Sequence, residues 1–302
     1  MKKFNILGLA MLSVASVAFT GCESDDPNTD ITVITQTNTE KNDLDRWLDV
    51  NFREPYNIDV KYRYEDVESD MNYYLIPCAY KDAIVMSHLV KYLCVETYNE
   101  VAGTDFTCRY FPKMFFYVGS WEFKNNGTIV LGTAEGGRKI FLAGLNELDR
   151  HMKSADGLNT YYFKTIHHEF THIMNQTKPI PPSYQLVNGT GYVADLWNTE
   201  PYNSQSYFLN AGFISAYAQH SYGEDFAEML SMYITKSTSE WNTLVNKANA
   251  DGKAFINQKL DIVRTYMDEN FGIDIDDLRA ALQRRQKDVV DGKVDLTDLT
   301  IK

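Results

Sequence analysis

The stretch "TIHHEFTHIM", residues 165–174, places three of the chain's six histidines around one glutamate. On a helix, His168 and His172 lie one turn apart on the same face, where both imidazoles can bind one tetrahedral zinc ion. Glu169 follows the first of these histidines directly, so its carboxylate can reach a water bound to the zinc and take its proton. The stretch therefore predicts an HExxH zinc site with His168 and His172 as ligands and Glu169 as the base.

Apolar residues on the other side of this helix predict how it packs. They recur at helical spacing and form one stripe: Phe163, Ile166, Phe170 and Ile173. Thr165 and the two ligand histidines lie on the opposite face, away from that stripe. His167 is five residues from His172 and rotated off the shared face, so we expect it to pack or to line a cleft.

A catalytic zinc ion needs a third protein ligand and an open position for water. A metzincin would carry Gly at position 175 and His at position 178, and this chain has Asn175 and Lys178. The best candidate segment for the third ligand is "YAQHSYGEDFAEML", residues 217–230, whose spacing predicts a second helix. Glu224 on this helix is the predicted third ligand. Glu228, one turn later, can accept the N–H of a ligating histidine.

Two alternatives remain open for this segment. Ser221-x-x-Glu224 is also a capping box, in which Glu224 would fold back on the start of its helix. His220 and Asp225 are substitute ligands, although Asp225 would have Met229 one turn below it and no carboxylate. The need of the two histidines for a third partner favours Glu224 as a ligand.

The N-terminal residues predict export. Residues 1–21 form a signal peptide in which an apolar run, too short to span a bilayer, follows two lysines. Gly21-Cys22 then resembles the lipobox of bacterial lipoproteins, in which the cysteine is acylated, although Phe19 departs from the usual Leu. The alternative is an ordinary secreted protein. We expect a lipid anchor on Cys22 and a flexible tether over residues 22–40.

The acidic stretch "ESDDPNTD" in this tether resembles the sorting signal of some outer-membrane lipoproteins. The sequence thus predicts an exported outer-membrane lipoprotein that can be exposed at the cell surface. If Cys22 carries lipid, then Cys78, Cys94 and Cys108 remain, and at most one disulfide can form among them.

Composition excludes one class of partner. The chain has 302 residues, of which 44% are hydrophobic, enough for one large core or for two lobes that share a cleft. Lys and Arg number 29 against 41 Asp and Glu, and the net charge of −12 would repel a phosphate backbone. We therefore expect no nucleic-acid partner.

Changes of hydrophobic period outside the motif predict an α+β fold. Helical spacing over residues 44–52 gives way to strand-like alternation over residues 58–64, and helical spacing returns over residues 80–101. Residues 113–142 predict a hairpin or a small meander, and residues 183–212 a long irregular segment. The remainder predicts helices at about 221–235, 239–249, 253–269 and 276–289.

The spacing of the two motif segments resembles that of a known class of protease. HExxH followed by a distant Glu-x-Phe-Ala-Glu is similar to the gluzincin arrangement of proteases of the anthrax lethal factor type. In that class the first Glu is the third ligand, and a Tyr seven residues upstream polarises the substrate carbonyl. Tyr217 stands seven residues before Glu224, so the resemblance implies a catalytic role for Tyr217, with Tyr222 as its competitor.

A closer resemblance covers most of the chain after the tether. "HHEFTHIMNQTKPIPPSY", "GFISAYA" and "EDFAEM", with the lipoprotein-like start, resemble a family of bacterial lipoproteins described as zinc-binding metallopeptidases. The resemblance implies one zincin-like catalytic domain over residues 41–302, with Zn²⁺ on the two histidines and Glu224. A mixed sheet and the HExxH helix would form an upper lobe, about 41–180, above a mostly helical lower lobe, about 181–302.

These residues predict a zinc-dependent peptidase that acts on peptide or protein substrates. Zinc would polarise a water molecule that Glu169 deprotonates, and zinc with Tyr217 would stabilise the oxyanion formed at the peptide carbonyl. An extended substrate would pair with an edge strand within residues 113–142.

The alternative is a surface protein that keeps the zincin fold but is catalytically weak or inactive. Its aromatic residues, including Tyr192, Trp197 and Tyr202, would bind a glycan or a protein partner. An intact Glu169 argues against this alternative, and four protein ligands around the metal would favour it.

Overall fold

The structure, a computed structural model, describes residues 40–68, 73–123, 129–130, 132–135 and 138–301. The predicted signal peptide and Cys22 lie outside these described residues. The described residues from Lys41 onward form one compact unit. Among the described helices, none combines the length and the apolar character that crossing a membrane requires.

Helices make up most of the described chain. Their bounds are α1 Asp43–Leu48, α2 Glu54–Tyr56, α3 Tyr80–Val90, α4 Glu96–Ala102, α5 Thr104–Tyr110, α6 Leu148–His151, α7 Ala155–Leu158, α8 Lys164–Thr177, α9 Pro182–Asn188, α10 Gln205–Asn210, α11 Tyr222–Thr235, α12 Thr238–Val245, α13 Ala250–Phe271 and α14 Ile275–Val290. Turns of π-helix at Asp49–Arg53, Lys91–Val95 and Asn159–Phe163 join α1 to α2, α3 to α4 and α7 to α8.

A small mixed sheet packs with these helices. Its strands are β1 Asp59–Lys61, β2 Met114–Tyr117, β5 Gly132–Glu135 and β6 Lys139–Leu142, in the order β1-β2-β6-β5. β1, β2 and β6 run parallel, and β5 is antiparallel to β6 at one edge. A separate antiparallel pair joins β3 Glu122–Phe123 to β4 Ile129–Val130.

The predicted hairpin or small meander over residues 113–142 is confirmed for two antiparallel pairs, β3–β4 and β5–β6, and is wrong for β2. The β5–β6 hairpin forms, but β2 pairs in parallel with β6 and β1 instead of with its neighbour in sequence. Phe115, Phe116 and Tyr117 are all fully buried, as is usual for a parallel strand that is covered on both faces. The hydrophobic pattern identifies such strands without specifying their partners.

The helical predictions are confirmed, with two corrections. Residues 183–212 are less irregular than expected, because they contain α9 and α10. Pro182 begins α9, where a proline is tolerated because the first N–H of a helix has no partner within it. The helix expected at 239–249 ends at Val245, and the Asn249 side chain instead caps α13 by accepting from Gly252 N at 2.8 Å.

The apolar stripe of α8 lies in the core, as predicted. Phe170 is fully buried and packs edge-on against Tyr98 and Phe111, with ring centroids 5.0 Å apart in each case. The opposite side of α8 packs against α11. These contacts hold α8 between the core and α11, the second predicted motif helix.

The three cysteines outside the predicted lipidation site are free. Cys78 and Cys94 are buried and Cys108 is exposed, and no disulfide joins them in the described part of the chain.

Candidate metal centre

Two helices bring three ligand atoms together. Nε2 of His168 lies 2.9 Å from Oε2 of Glu224. Nε2 of His172 lies 3.1 Å from the same oxygen and 3.1 Å from Nε2 of His168. α8 supplies both histidines, one turn apart, and α11 supplies the glutamate.

This cluster fits a zinc ion. Two imidazole nitrogens and a carboxylate oxygen are zinc donors, and ligand atoms about 2.1 Å from a tetrahedral ion lie about 3.4 Å apart. The observed separations approach that value. The side-chain atoms of His168, His172 and Glu224 that could bind a metal all lie within 4.8 Å of one another. Three protein ligands leave a fourth position of the tetrahedron open.

The electrostatics of the site also favour a cation. Burial alone would lower the pKa of His168, but its contacts with Glu224 and Glu228 outweigh burial and raise that pKa to about 9. Burial alone would raise the pKa of Glu224, but its contacts with the two histidines outweigh burial and hold that pKa well below its usual range. The site therefore stabilises positive charge between these side chains.

The Glu224 side chain points to the histidines and not to the start of its own helix. Ser221 Oγ accepts a hydrogen bond from Glu224 N at 3.3 Å, which caps α11. The carboxylate itself contacts His168 and His172. The substitute ligands are engaged elsewhere: His220 lies 3.5 Å from Asp195. Asp225 is fully buried and pairs with Lys259 at 2.7 Å.

Glu228 lies behind His168, on the side away from Glu224. Its Oε1 is 2.9 Å from Nδ1 of His168, in an ion-pair contact. Lys164 Nζ lies 2.6 Å from the same oxygen, and Ser215 Oγ donates to Oε2 at 2.7 Å. The Glu228 side chain is only 1% exposed, so this carboxylate is held entirely by its protein partners.

Sequence reasoning missed Lys164 and Ser215. Lys164 stands four residues before His168, on the same helix face, so helical spacing alone could have indicated its role. Ser215 lies in an irregular stretch with no comparable signal.

An open cavity of about 670 Å³ adjoins the cluster. It is lined by Glu169 together with His172, Glu224, Tyr217 and Tyr222. The predicted base therefore faces the same space as two of the three ligands, His172 and Glu224.

Tyr217 is the more enclosed of the two candidate tyrosines. It lies on a short 3₁₀ turn, Tyr217–Gln219, with its ring centroid 5.9 Å from that of His168 and 5.1 Å from that of Trp197. Burial, and then the negative charges of Glu224 and Glu169, hold the pKa of Tyr217 above its usual range, so its hydroxyl keeps its proton. Tyr222 is 44% exposed.

His167 packs away from the cluster, as expected. Its ring is 1% exposed, and Nδ1 lies 3.1 Å from the Tyr98 hydroxyl. Burial lowers the pKa of His167 to about 3, which keeps it neutral.

This donor set, with an open cavity beside it, is that of a zinc-binding protein. The chain belongs to the family described as "Putative zinc-binding metallo-peptidase", whose model matches residues 36–276. The family description supports Zn²⁺ as the metal.

A solved relative carries the same description. It is the crystal structure of "a putative zinc-binding metallo-peptidase" from Bacteroides caccae. The two sequences are 35% identical, and the two structures superpose with a TM-score of 0.76. The match covers 89% of this chain and 100% of that one. No curated protein matches the chain significantly.

Proposed function

We propose that the protein is a zinc-dependent peptidase that hydrolyses peptide bonds in the cavity beside the metal centre. In this proposal His168, His172 and Glu224 hold the zinc, and Glu169 is the general base. The supporting observation is that three ligand atoms converge and that two of the ligands, His172 and Glu224, line one open cavity together with Glu169. Membership of a metallopeptidase family agrees with it.

Each protein group has a distinct task in the proposed reaction. Zinc, when bound, acts as a Lewis acid on water and on the substrate carbonyl. Glu169 takes a proton from the attacking water and passes it to the leaving amine. The Tyr217 hydroxyl donates a hydrogen bond to the oxygen on which negative charge develops. Glu228 orients His168 from behind.

An extended substrate would lie beside the edge of the sheet. β5 is an outer strand of the four-stranded sheet and packs close to α8. Main-chain pairing along such an edge holds a peptide without requiring a particular side-chain sequence. Peptide or protein chains are therefore the proposed substrate class.

The proposal includes the cellular setting expected from the sequence. Residues 41–302 form a single zincin-like catalytic domain, with its cleft between lobes at about 41–180 and 181–302. Cys22 carries the lipid anchor, and residues 22–40 tether the domain to the outer membrane. Mass spectrometry of the membrane-extracted protein, which detects acylated Cys22, tests the anchor.

The catalytic proposal is tested with zinc-loaded residues 23–302 and a diverse peptide mixture, with new termini read by mass spectrometry. Glu169→Gln should keep its zinc and lose about 10²- to 10⁴-fold in turnover. Glu269→Gln, which changes an exposed glutamate on α13, should cut like the wild type. Undiminished cleavage by Glu169→Gln would refute the proposed base.

Absence of cleavage by folded, zinc-loaded wild-type protein would instead favour a surface protein that binds a glycan or a protein partner. That alternative calls for four protein ligands on the metal, whereas three residues cluster in the described part of the chain. A binding assay with glycans would then be the next experiment.

A further inference from the structure

A second cavity, here called the rear pocket, lies behind the metal centre. It has a volume of about 500 Å³ and is bordered by the start of α8, the end of α11, the start of α12 and α14. Among the described residues, the rear pocket and the metal-centre cavity share no lining residue. Its volume is within the range of about 300–1,000 Å³ typical of small-molecule sites.

The rear pocket is lined by both apolar and polar groups, and hydrogen bonds hold several of its polar side chains in place. The Asn159 side chain donates to Thr235 O at 2.9 Å and lies in reciprocal contact with the amide of Gln286. Gln283 Nε2 donates to Lys236 O at 2.6 Å. All five residues line the pocket. An occupant would thus meet preorganised amide groups, which can hydrogen-bond to peptide units.

The pocket also carries opposite charges that lack ion-pair partners. Lys236 and Asp156 both line it, and neither forms an ion pair in the part of the chain that the structure describes, although the charge of Lys236 acts on Glu240, a lining carboxylate that accepts from Ser237 N. Lys287, a further lining cation, pairs with Asp291. Lys164, whose side chain is 32% exposed, adds a third cation and places its Nζ 2.6 and 2.9 Å from the two oxygens of Glu228. An ammonium group has three donors, so a ligand anion can take the third.

We propose that the rear pocket binds an amino acid or a short peptide in its zwitterionic form. The ligand carboxylate contacts Lys236 and Lys164, the ligand ammonium group contacts Asp156, and polar side chains of the lining hydrogen-bond to its main chain. This inference is independent of the proposed peptidase activity, because it concerns a separate cavity.

Occupation of the rear pocket is transmitted to the metal centre through three side chains. Lys164 lines the pocket and contacts Glu228, which in turn contacts Nδ1 of His168. A ligand carboxylate that contacts Lys164 weakens the ion pair between Lys164 and Glu228. The weaker pair changes how Glu228 positions His168. Ligand in the rear pocket therefore alters the rate at which zinc leaves.

Binding is tested by calorimetry with trialanine and the zinc-loaded Glu169→Gln chain, in which the proposed hydrolysis is blocked. Trialanine should bind, and Asp156→Asn and Lys236→Gln should each weaken binding about tenfold or more, the size expected for loss of a charged contact. Lys153→Gln, which removes an exposed lysine outside the pocket, should have no effect. N-acetyl-trialanine and trialanine amide, which each lack one terminal charge, should bind as weakly as the pocket variants.

Two results overturn the proposal: no binding to the Glu169→Gln chain, or equal binding after Asp156→Asn and Lys236→Gln. The second result would place trialanine in the metal-centre cavity. The coupling is tested by the rate of zinc transfer to a chromogenic chelator. Trialanine should change that rate in the Glu169→Gln chain but not after the further Lys236→Gln change, whereas direct chelation of zinc by the peptide would persist in both. An identical rate with and without trialanine overturns the coupling.

Discussion

Oε1 of Glu228 lies 2.9 Å from Nδ1 of His168, on the opposite side of the imidazole from the other ligand atoms. When Nδ1 carries the proton beside this carboxylate, the lone pair of Nε2 is available for the metal. Because Glu228 is buried, its charge depends on Lys164, which lies 2.6 Å away. Lys164 therefore helps to position the metal ligand His168 through Glu228.

Lys164→Met should weaken zinc binding by about tenfold to a hundredfold, because it leaves the buried Glu228 carboxylate without its cation. Competition with a chelator of known affinity measures the effect. Lys164→Arg should restore most of the lost affinity, and Lys153→Met, at an exposed site, should behave like the wild type. Full zinc affinity in Lys164→Met would show that the lysine does not support the ligand.

Glu224→Ala should reduce the zinc content of the purified protein well below that of the wild type. The change removes one of three donors from the cluster and leaves two histidines, which hold zinc poorly. Elemental analysis after dialysis measures the metal. Asp261→Ala, at an exposed carboxylate of α13, is the matched control and should retain zinc. Equal zinc content in the two variants would exclude Glu224 as a ligand.

Tyr217→Phe should lower turnover about a hundredfold without changing zinc content, because it removes only the hydroxyl proposed to stabilise the oxyanion. Tyr222→Phe should have a small effect, since Tyr222 is 44% exposed to solvent. Steady-state kinetics on one cleaved peptide separate the two residues. A larger loss in Tyr222→Phe than in Tyr217→Phe would reverse the assignment.

An ion pair that involves none of the metal-centre residues should make stability depend on pH. Asp45 accepts two hydrogen bonds of 2.7 Å from Arg63 and one of 2.8 Å from Tyr62. Burial opposes ionisation of Asp45, but the bonds from Arg63 and other partners outweigh it and lower its pKa to about 2. The resulting stabilisation is complete above the unfolded-state pKa of about 3.9 and is lost as the pH falls towards 2.

Asp45→Asn should accordingly lower the free energy of unfolding at pH 6 and have a progressively smaller effect below pH 4. Urea unfolding of both proteins at pH 6, 4 and 3 measures the difference. Asp261→Asn controls for loss of an exposed charge. A destabilisation of equal size at all three pH values would mean that the carboxylate charge of Asp45 contributes nothing.

Much of the helical framework follows from local sequence pattern. The apolar stripe of α8 and the helices from α11 to α14 are predictable because residues three and four apart share a helix face, whatever the rest of the chain does. For the same reason, the spacing of His168 and His172 is enough to place them one turn apart. Strand partners do not follow from local pattern, because β2 finds its neighbour 25 residues away, at β6.

The sequence by itself determined which side chains share the donor face of α8 and that Glu224 and Glu228 lie one turn apart on α11. Only the tertiary structure decided that α11 packs against α8 closely enough to bring Glu224 within 2.9 Å of His168. It also decided that Lys164 and Ser215 meet at Glu228. The physical reason is range: helical spacing is set by neighbouring residues, whereas the approach of two helices depends on how the whole core packs.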